Sequence, residues 1–290
     1  MTFTRADLLA TAERSPAAAG AGDRKAWIGL FTSNGCVEDP VGSAPHRGVA
    51  AIGQFYDTFI GPRDIRFHPD VDIVVGQTVV RDGELEVTMA STLTLRVPVF
   101  IRYDLEDEAG ELKIAALWAF WELPAMVAQY LRGGIRAVPA GVRLSRLLMH
   151  NQGLVGTLGF LGGLRSMGSG AKGAVARFLD AACAGDEVGM RRRLAGEVRI
   201  SGGDGVQMSA ADLLRHLSGA RWRKLIGSGY AVVAASSGRG SAVCSSPRSV
   251  PNPSRSPVFS SSATQDESRF GRATPVRWVD VRRLQHDGRR

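Results

Sequence analysis

Two adjacent acids, Glu38 and Asp39, stand in the stretch V-E-D-P-V-G-S, between an apolar segment and a proline. A carboxylate at the end of a buried strand and facing an apolar cavity is poorly solvated, so its proton affinity rises toward what general-base work needs. Pro40 disfavours helix at the residue before it and holds Asp39 extended. Side chains alternate along extended chain, so Glu38 is expected to point the other way, into solvent. The competing reading is an acid that ends a turn, since Asp before Pro is common there. His46, in the loop after the motif, reads as a solvated histidine near a pocket mouth. His68, His150 and His216 show no metal-ligand spacing, and G-G-L-R-S-M-G-S-G-A-K-G lacks the G-K-[ST] of a phosphate loop. No metal and no cofactor is expected.

The elements that must position Asp39 follow from periodicity. Residues 6–14 carry apolar side chains at helical spacing, Pro16 is expected to interrupt that helix, and G-D-R-K-A-W-I-G-L-F resumes it. A third helical segment, V-A-A-I-G-Q-F-Y-D-T-F-I, places Ile52, Phe55, Tyr56 and Phe59 three to four apart. After Pro62 the period changes to two, through V-D-I-V-V-G-Q-T-V-V, E-L-E-V-T-M-A-S-T-L-T-L-R-V, V-F-I-R-Y-D-L-E-D and E-L-K-I-A-A-L-W-A-F-W-E-L. D-E-A-G is the turn between the last two. Helices followed by long antiparallel strands give an α+β fold, a curved sheet wrapped over helices, across residues 4–122. Alternation sets Ile101, Tyr103 and Leu105 on one face of their strand and Arg102, Asp104 and Glu106 on the other. The aromatic residues Trp27, Phe55, Tyr56, Phe59, Trp118, Phe120 and Trp121 are the candidate lining of a pocket for a flat ligand, or plain core.

Three further blocks follow. Residues 123–170 alternate arginine with Leu, Val and Ile at helical spacing (Arg132, Arg136, Arg143, Arg146) and read as an amphipathic helical linker. The linker packs on its neighbours or, as the alternative, makes a weak membrane-surface contact through 123–165. Residues 171–234 echo the first block, with A-G-D at 184–186 as at 21–23, and read as a partial second repeat in which Ser201 falls near the position matching Asp39. This repeat is expected to pair with the first intramolecularly, or the chain to form a homodimer. K-L-I-G-S-G-Y-A-V-V-A reads as its first long strand. Residues 235–290 are rich in Ser, Arg, Pro and Gly and read as a disordered basic tail, native or the product of a frame shift.

The motif V-E-D-P-V-G-S followed by G-x-x-A-I-x-x-F-Y, behind A-G-D and an aromatic eight residues on, resembles the ketosteroid isomerase and SnoaL-like branch of the nuclear-transport-factor-two-like superfamily. The resemblance implies a cone-shaped sheet closed over one deep apolar pocket. It also implies a general base, falling on Asp39, that moves a proton between two carbons of a bound enone, with an oxyanion hole of a tyrosine and a protonated aspartic acid. The tyrosine position falls on Ser15 and the aspartic acid position on Ile101, so Tyr103 is the best remaining donor and Tyr56 the second. The expected function is binding of a flat apolar small molecule of steroid or polyketide type, with cofactor-free proton transfer. A catalytically silent binding or assembly module is the alternative.

Charge and composition fit this picture. The chain has 290 residues, 44% of them hydrophobic, enough to fill a core in each of two domains. Its net charge of +8 is concentrated at the end, where residues 236–290 carry ten arginines and four acids. The remainder is near neutral, so nucleic acid is not the expected partner. Cys36, Cys183 and Cys244 are widely spaced, which gives neither a disulfide framework nor a zinc pattern. No secretory signal and no run of about 18 apolar residues is present, so a cytoplasmic protein is expected.

Overall fold

Helix α1 (Arg5–Gly20) opens the first unit in a computed structural model of the chain that describes residues 3–89, 93–134, 138–151, 169–202, 207–237, 241–246 and 277–284. Its start is a capping box. The Thr4 hydroxyl accepts from the Asp7 amide at 3.3 Å, and the Asp7 carboxylate accepts from the Thr4 amide at 2.8 Å. The helix runs through Pro16, contrary to expectation. Its inner face of Leu8, Ala12, Ser15 and Ala19, at helical spacing, is buried, and that packing outweighs the lost backbone bond. Asp23 caps the short α2 (Arg24–Gly29), and β1 (Phe31–Glu38) follows, leading straight into Asp39. After β2 (His46–Arg47), α3 (Gly48–Phe55) continues into a π-helical turn, Tyr56–Ile60.

Four long strands complete the sheet: β3 (Asp64–Val75), β4 (Thr78–Met89), β5 (Leu93–Glu108) and β6 (Glu111–Phe120). V-D-I-V-V-G-Q-T-V-V therefore holds two strands, not one, with Gly76 in the left-handed region at the turn. The expected turn between β5 and β6 is present, with Ala109 and Gly110 both at positive φ. The strand order is β2-β1-β6-β5-β4-β3, antiparallel except for the β1/β6 pair, in which Val37 faces Leu117 and Glu38 faces Trp118.

Strict alternation gives this sheet two buried faces. Val37, Val79, Val99, Ile101, Tyr103, Leu117, Ala119 and Trp121 join the helices in one core. Cys36, Val80, Phe100, Ala116, Trp118 and Phe120 form a second core with Ile226, Ala231, Val233 and Ala235. Those last four residues belong to the second unit.

Helices α4 (Leu123–Arg132) and α5 (Val138–Asn151) connect the units. No described helix is long and apolar enough to cross a membrane. Then come α6 (Ser169–Cys183), α7 (Glu187–Arg191), β7 (Leu194–Gly202), α8 (Ala210–Leu217), β8 (Arg221–Ser228), β9 (Ala231–Ser237), β10 (Ser241–Ser246) and β11 (Arg277–Leu284). The two A-G-D segments fold alike. Gly22 and Gly185 have φ of 68° and 75°, and Asp23 and Asp186 each cap the next helix by accepting an amide hydrogen bond at 2.9 Å. K-L-I-G-S-G-Y-A-V-V-A is a hairpin, β8 and β9 turning at Gly229, where one strand was expected. Residues 241–246 and 277–284, expected to be unstructured, supply two strands; the rest of the expected tail, 238–240, 247–276 and 285–290, lies outside the described residues. The second sheet runs β7-β11-β10-β9-β8, and β11 is parallel to β10 and antiparallel to β7. That direction is opposite to that of β6 in the first sheet.

Candidate active site

Asp39 ends β1 on the inner face of the sheet and lines a cavity with about 680 Å³ of empty space, part of it open to solvent. The walls come from both helices and strands. Phe55, Phe59 and Ile60 descend from α3 and its π-helical turn, and Arg63 and Ile65 follow at the start of β3. Leu85, Val87 and Met89 line it from β4 and Val97 from β5. Trp121, just past β6, lies beside the acid, and Met126 of α4 and Leu144 of α5 cover it. Among these thirteen residues Asp39 and Arg63 alone are charged.

Burial pushes the Asp39 carboxyl up from 3.8 to about 6, and a hydrogen bond from Trp121 opposes part of the rise. That bond runs from Trp121 Nε1 to Asp39 Oδ1 at 2.5 Å. An indole is a donor only, so it orients the carboxylate without competing for its proton. The carboxylate thus meets apolar surroundings on the cavity side and one fixed dipole behind it.

Tyr103 does not line the cavity. It is 1% exposed in the core, its hydroxyl hydrogen-bonded to Ser15, and burial pushes its pKa up to about 12, with the Asp39 charge a minor contributor. The residue at the family's tyrosine position, Ser15, is thereby tied to the tyrosine proposed as its substitute. Ile101 and Leu105 share that inner face, whereas Asp104 lies on the other, accepting from Arg102, Thr78 and Trp118.

Of the aromatic residues read from the sequence as lining, Phe55, Phe59 and Trp121 reach the cavity. Trp27 and Tyr56 pack tilted against each other in the core, with ring centroids 5.5 Å apart, and the Tyr56 hydroxyl is buried with no partner among the described residues. Trp118 and Phe120 are a correction. They alternate with Leu117, Ala119 and Trp121 along β6 and so face the second unit. His46 is a correction too: it is half-buried against Phe55, 5.1 Å between centroids, and burial lowers its pKa. Reasoning from sequence missed Arg63 and the β4 residues; the period-two pattern marks the latter's face but not the cavity it meets.

Glu38 is the third correction. It is 5% exposed, accepts from the Gly42 amide at 2.7 Å and from the Tyr230 hydroxyl at 3.1 and 3.2 Å, and burial raises its pKa. The outer face of β1 is covered by the β8–β9 hairpin, so no solvent is there to meet it. The same hairpin holds the other side of the motif, with Ser228 Oγ donating to the Val41 carbonyl at 3.0 Å. Gly42 and Gly229 approach so closely that a Cβ on either would overlap the Cα of the other. Asp39 is therefore bracketed by contacts of one turn of the second unit, at Glu38 on one side and at Val41 and Gly42 on the other.

The inner-face carboxylate at the strand end, the helices over a curved antiparallel sheet and the apolar cavity between them agree with a family match. Residues 12–116 match the family model of the SnoaL-like domain. Solved structures similar to the SnoaL-like domain include a Δ5-3-ketosteroid isomerase from Mycobacterium sp., 29% identical, covering 41% of this chain and 96% of that one at a TM-score of 0.38. A Mycobacterium tuberculosis protein in complex with estradiol-17β-hemisuccinate is 21% identical, covering 41% and 95% at 0.37. A polyketide cyclase described as putative, from Sinorhizobium meliloti, is 20% identical, covering 40% and 99% at 0.32.

Proposed function

We propose that the SnoaL-like domain binds a flat, largely apolar small molecule and that Asp39 is the general base for proton transfer within it. The observation that carries this reading is the Asp39 carboxylate itself, raised to about 6 in an apolar cavity and oriented by Trp121. A base of that pKa is mostly ionised at neutrality and still takes a proton readily. The ligand places an acidic carbon against the free edge of the carboxylate. Asp39 removes that proton and returns it at a second position, as in enone isomerisation, or activates a nucleophile for ring closure. Phe55, Phe59 and Trp121 supply flat contact surface, and α4 and α5 limit water entry through Met126 and Leu144. The units defined by residues 4–122 and 171–234 are read as diverged repeats, the second supporting the first.

A second reading, a silent ligand-binding module, is favoured by one observation. The lining holds no uncommitted hydroxyl to polarise a carbonyl: Tyr103 sits behind the wall, bonded to Ser15. Removing a single oxyanion donor typically costs about a hundredfold or more in rate. Wild type and Asp39→Asn are to be compared for enone isomerisation and for binding of an equilenin-like phenol. Turnover lost in the variant supports the base. Equal turnover in both removes Asp39 from the mechanism, and phenol binding without turnover selects the silent pocket.

A further inference from the structure

Arg63 is a cation set into the wall of an otherwise apolar cavity. Its Nη1 donates to the carbonyls of Thr58 and Phe59, at 2.8 and 2.6 Å, and its guanidinium lies 5.9 Å from the centre of the Phe59 ring. Those bonds fix where the group sits but leave its charge unneutralised. No carboxylate pairs with it among the described residues; neighbouring Asp64 is exposed and pairs with Arg66 instead. The charge that acts on it from the packed elements is that of another cation, Arg143, exposed on α5 beside the lining residue Leu144. Burial and the Arg143 charge together depress the Arg63 guanidinium to about 10. Asp39, the other charged residue of the lining, makes no ion pair or hydrogen bond with Arg63 among the described residues; its partner is Trp121. The sequence reinforces the sign: between Glu122 and Asp180 there is no acid, and α4 and α5 lie in that stretch.

Two like charges held close, one of them partly desolvated, are costly unless a negative group completes the site. A guanidinium with one nitrogen anchored to carbonyls retains further N–H donors in the planar fork that suits carboxylate, sulfate or phosphate. We propose that the ligand of this cavity is an amphiphilic anion, its apolar body against Phe55, Phe59, Val87 and Met126 and its acidic group held by Arg63 and Arg143. This inference rests on the reading that the cavity binds a small apolar molecule, and it names the ligand's class.

The test is titration calorimetry of the full chain with estrone, its 3-sulfate, its 3-phosphate and its 3-O-carboxymethyl ether, which share one ring body. At least one anionic form is expected to bind roughly tenfold or more tighter than estrone, and the best of the three identifies the acid type. Arg63→Met and, separately, Arg143→Met are expected to erase that preference, so that no anion binds appreciably tighter than estrone binds to the same variant. Arg143 is exposed, so its variant tests the site even where Arg63→Met fails to fold. Estrone bound as tightly as every anion, or a preference that survives both substitutions, overturns the anion site and leaves the apolar cavity standing. Binding of none of the four overturns the ligand-binding reading as well.

Discussion

Asp39 combines a functional advantage with a stability cost, and both follow from burial. Its folded pKa of about 6 lies above the ordinary 3.8, so the folded state favours the protonated form. The associated stabilisation is complete below pH 3.8 and is lost as pH rises through 6. A shift of that size corresponds to a cost of about 3 kcal/mol at most. Asp39→Asn keeps an oxygen for Trp121 and carries no charge, so urea unfolding is expected to show this variant more stable than wild type at pH 7.5 and nearly equal at pH 4. A variant less stable at pH 7.5 would refute the strained carboxylate. Turnover by the wild type is expected to rise with pH through an inflection near 6 and to level off about a unit above it, as the base ionises. Trp121→Phe removes the one hydrogen bond that lowers the Asp39 pKa, so the inflection of that profile, or of a carboxyl ¹³C titration, is expected to move up.

At the scale of elements, the β8–β9 hairpin is the support of the V-E-D-P-V-G motif. Gly42 and Gly229 both have positive φ, and their backbones touch, so neither tolerates a side chain. Gly229→Ala is expected to destabilise by about 1–3 kcal/mol in urea unfolding, through overpacking and the left-handed conformation. Tyr230→Phe leaves Glu38 with the Gly42 amide alone and is expected to raise the Glu38 pKa further, read by carboxyl NMR. An unchanged titration would separate the hairpin from the motif. Elements were legible wherever the period was long. Leu8, Ala12, Ser15 and Ala19 show why Pro16 misled: one buried face held a helix that local propensity would have ended. The hairpins at Gly76 and Gly229 were hidden because each two-residue turn is short and apolar residues resume within one or two positions on either side.

Across the whole molecule, the two units are joined by apolar sheet-on-sheet packing and by one buried ionic cluster. Asp82, 2% exposed, pairs with Arg223 and with Lys224 Nζ at 2.6 Å. Lys224 also donates to the Gly83 and Val99 carbonyls and lies 4.6 Å from the centre of the Phe100 ring. Removing one partner of a buried pair strands the other, so Asp82→Ala is expected to cost about 3–5 kcal/mol in unfolding free energy. A loss below 1 kcal/mol would mean that the cluster is solvated in solution and the units are not so joined.

The sequence by itself determined the α+β layout of residues 4–122, the sidedness of β5 and the placement of Asp39 at a strand end, because periodicity and a proline act locally. It also marked the A-G-D caps, whose geometry depends on three adjacent residues. Only the tertiary structure decided which of two buried faces each aromatic residue meets. Trp118 and Phe120 are as apolar as Trp121, and nothing local shows that the sheet's outer face is covered by another unit. For the same reason Glu38 passed for a solvent residue, and Arg63 went unnoticed until the strand, the π-helical turn and α5 were brought around one cavity.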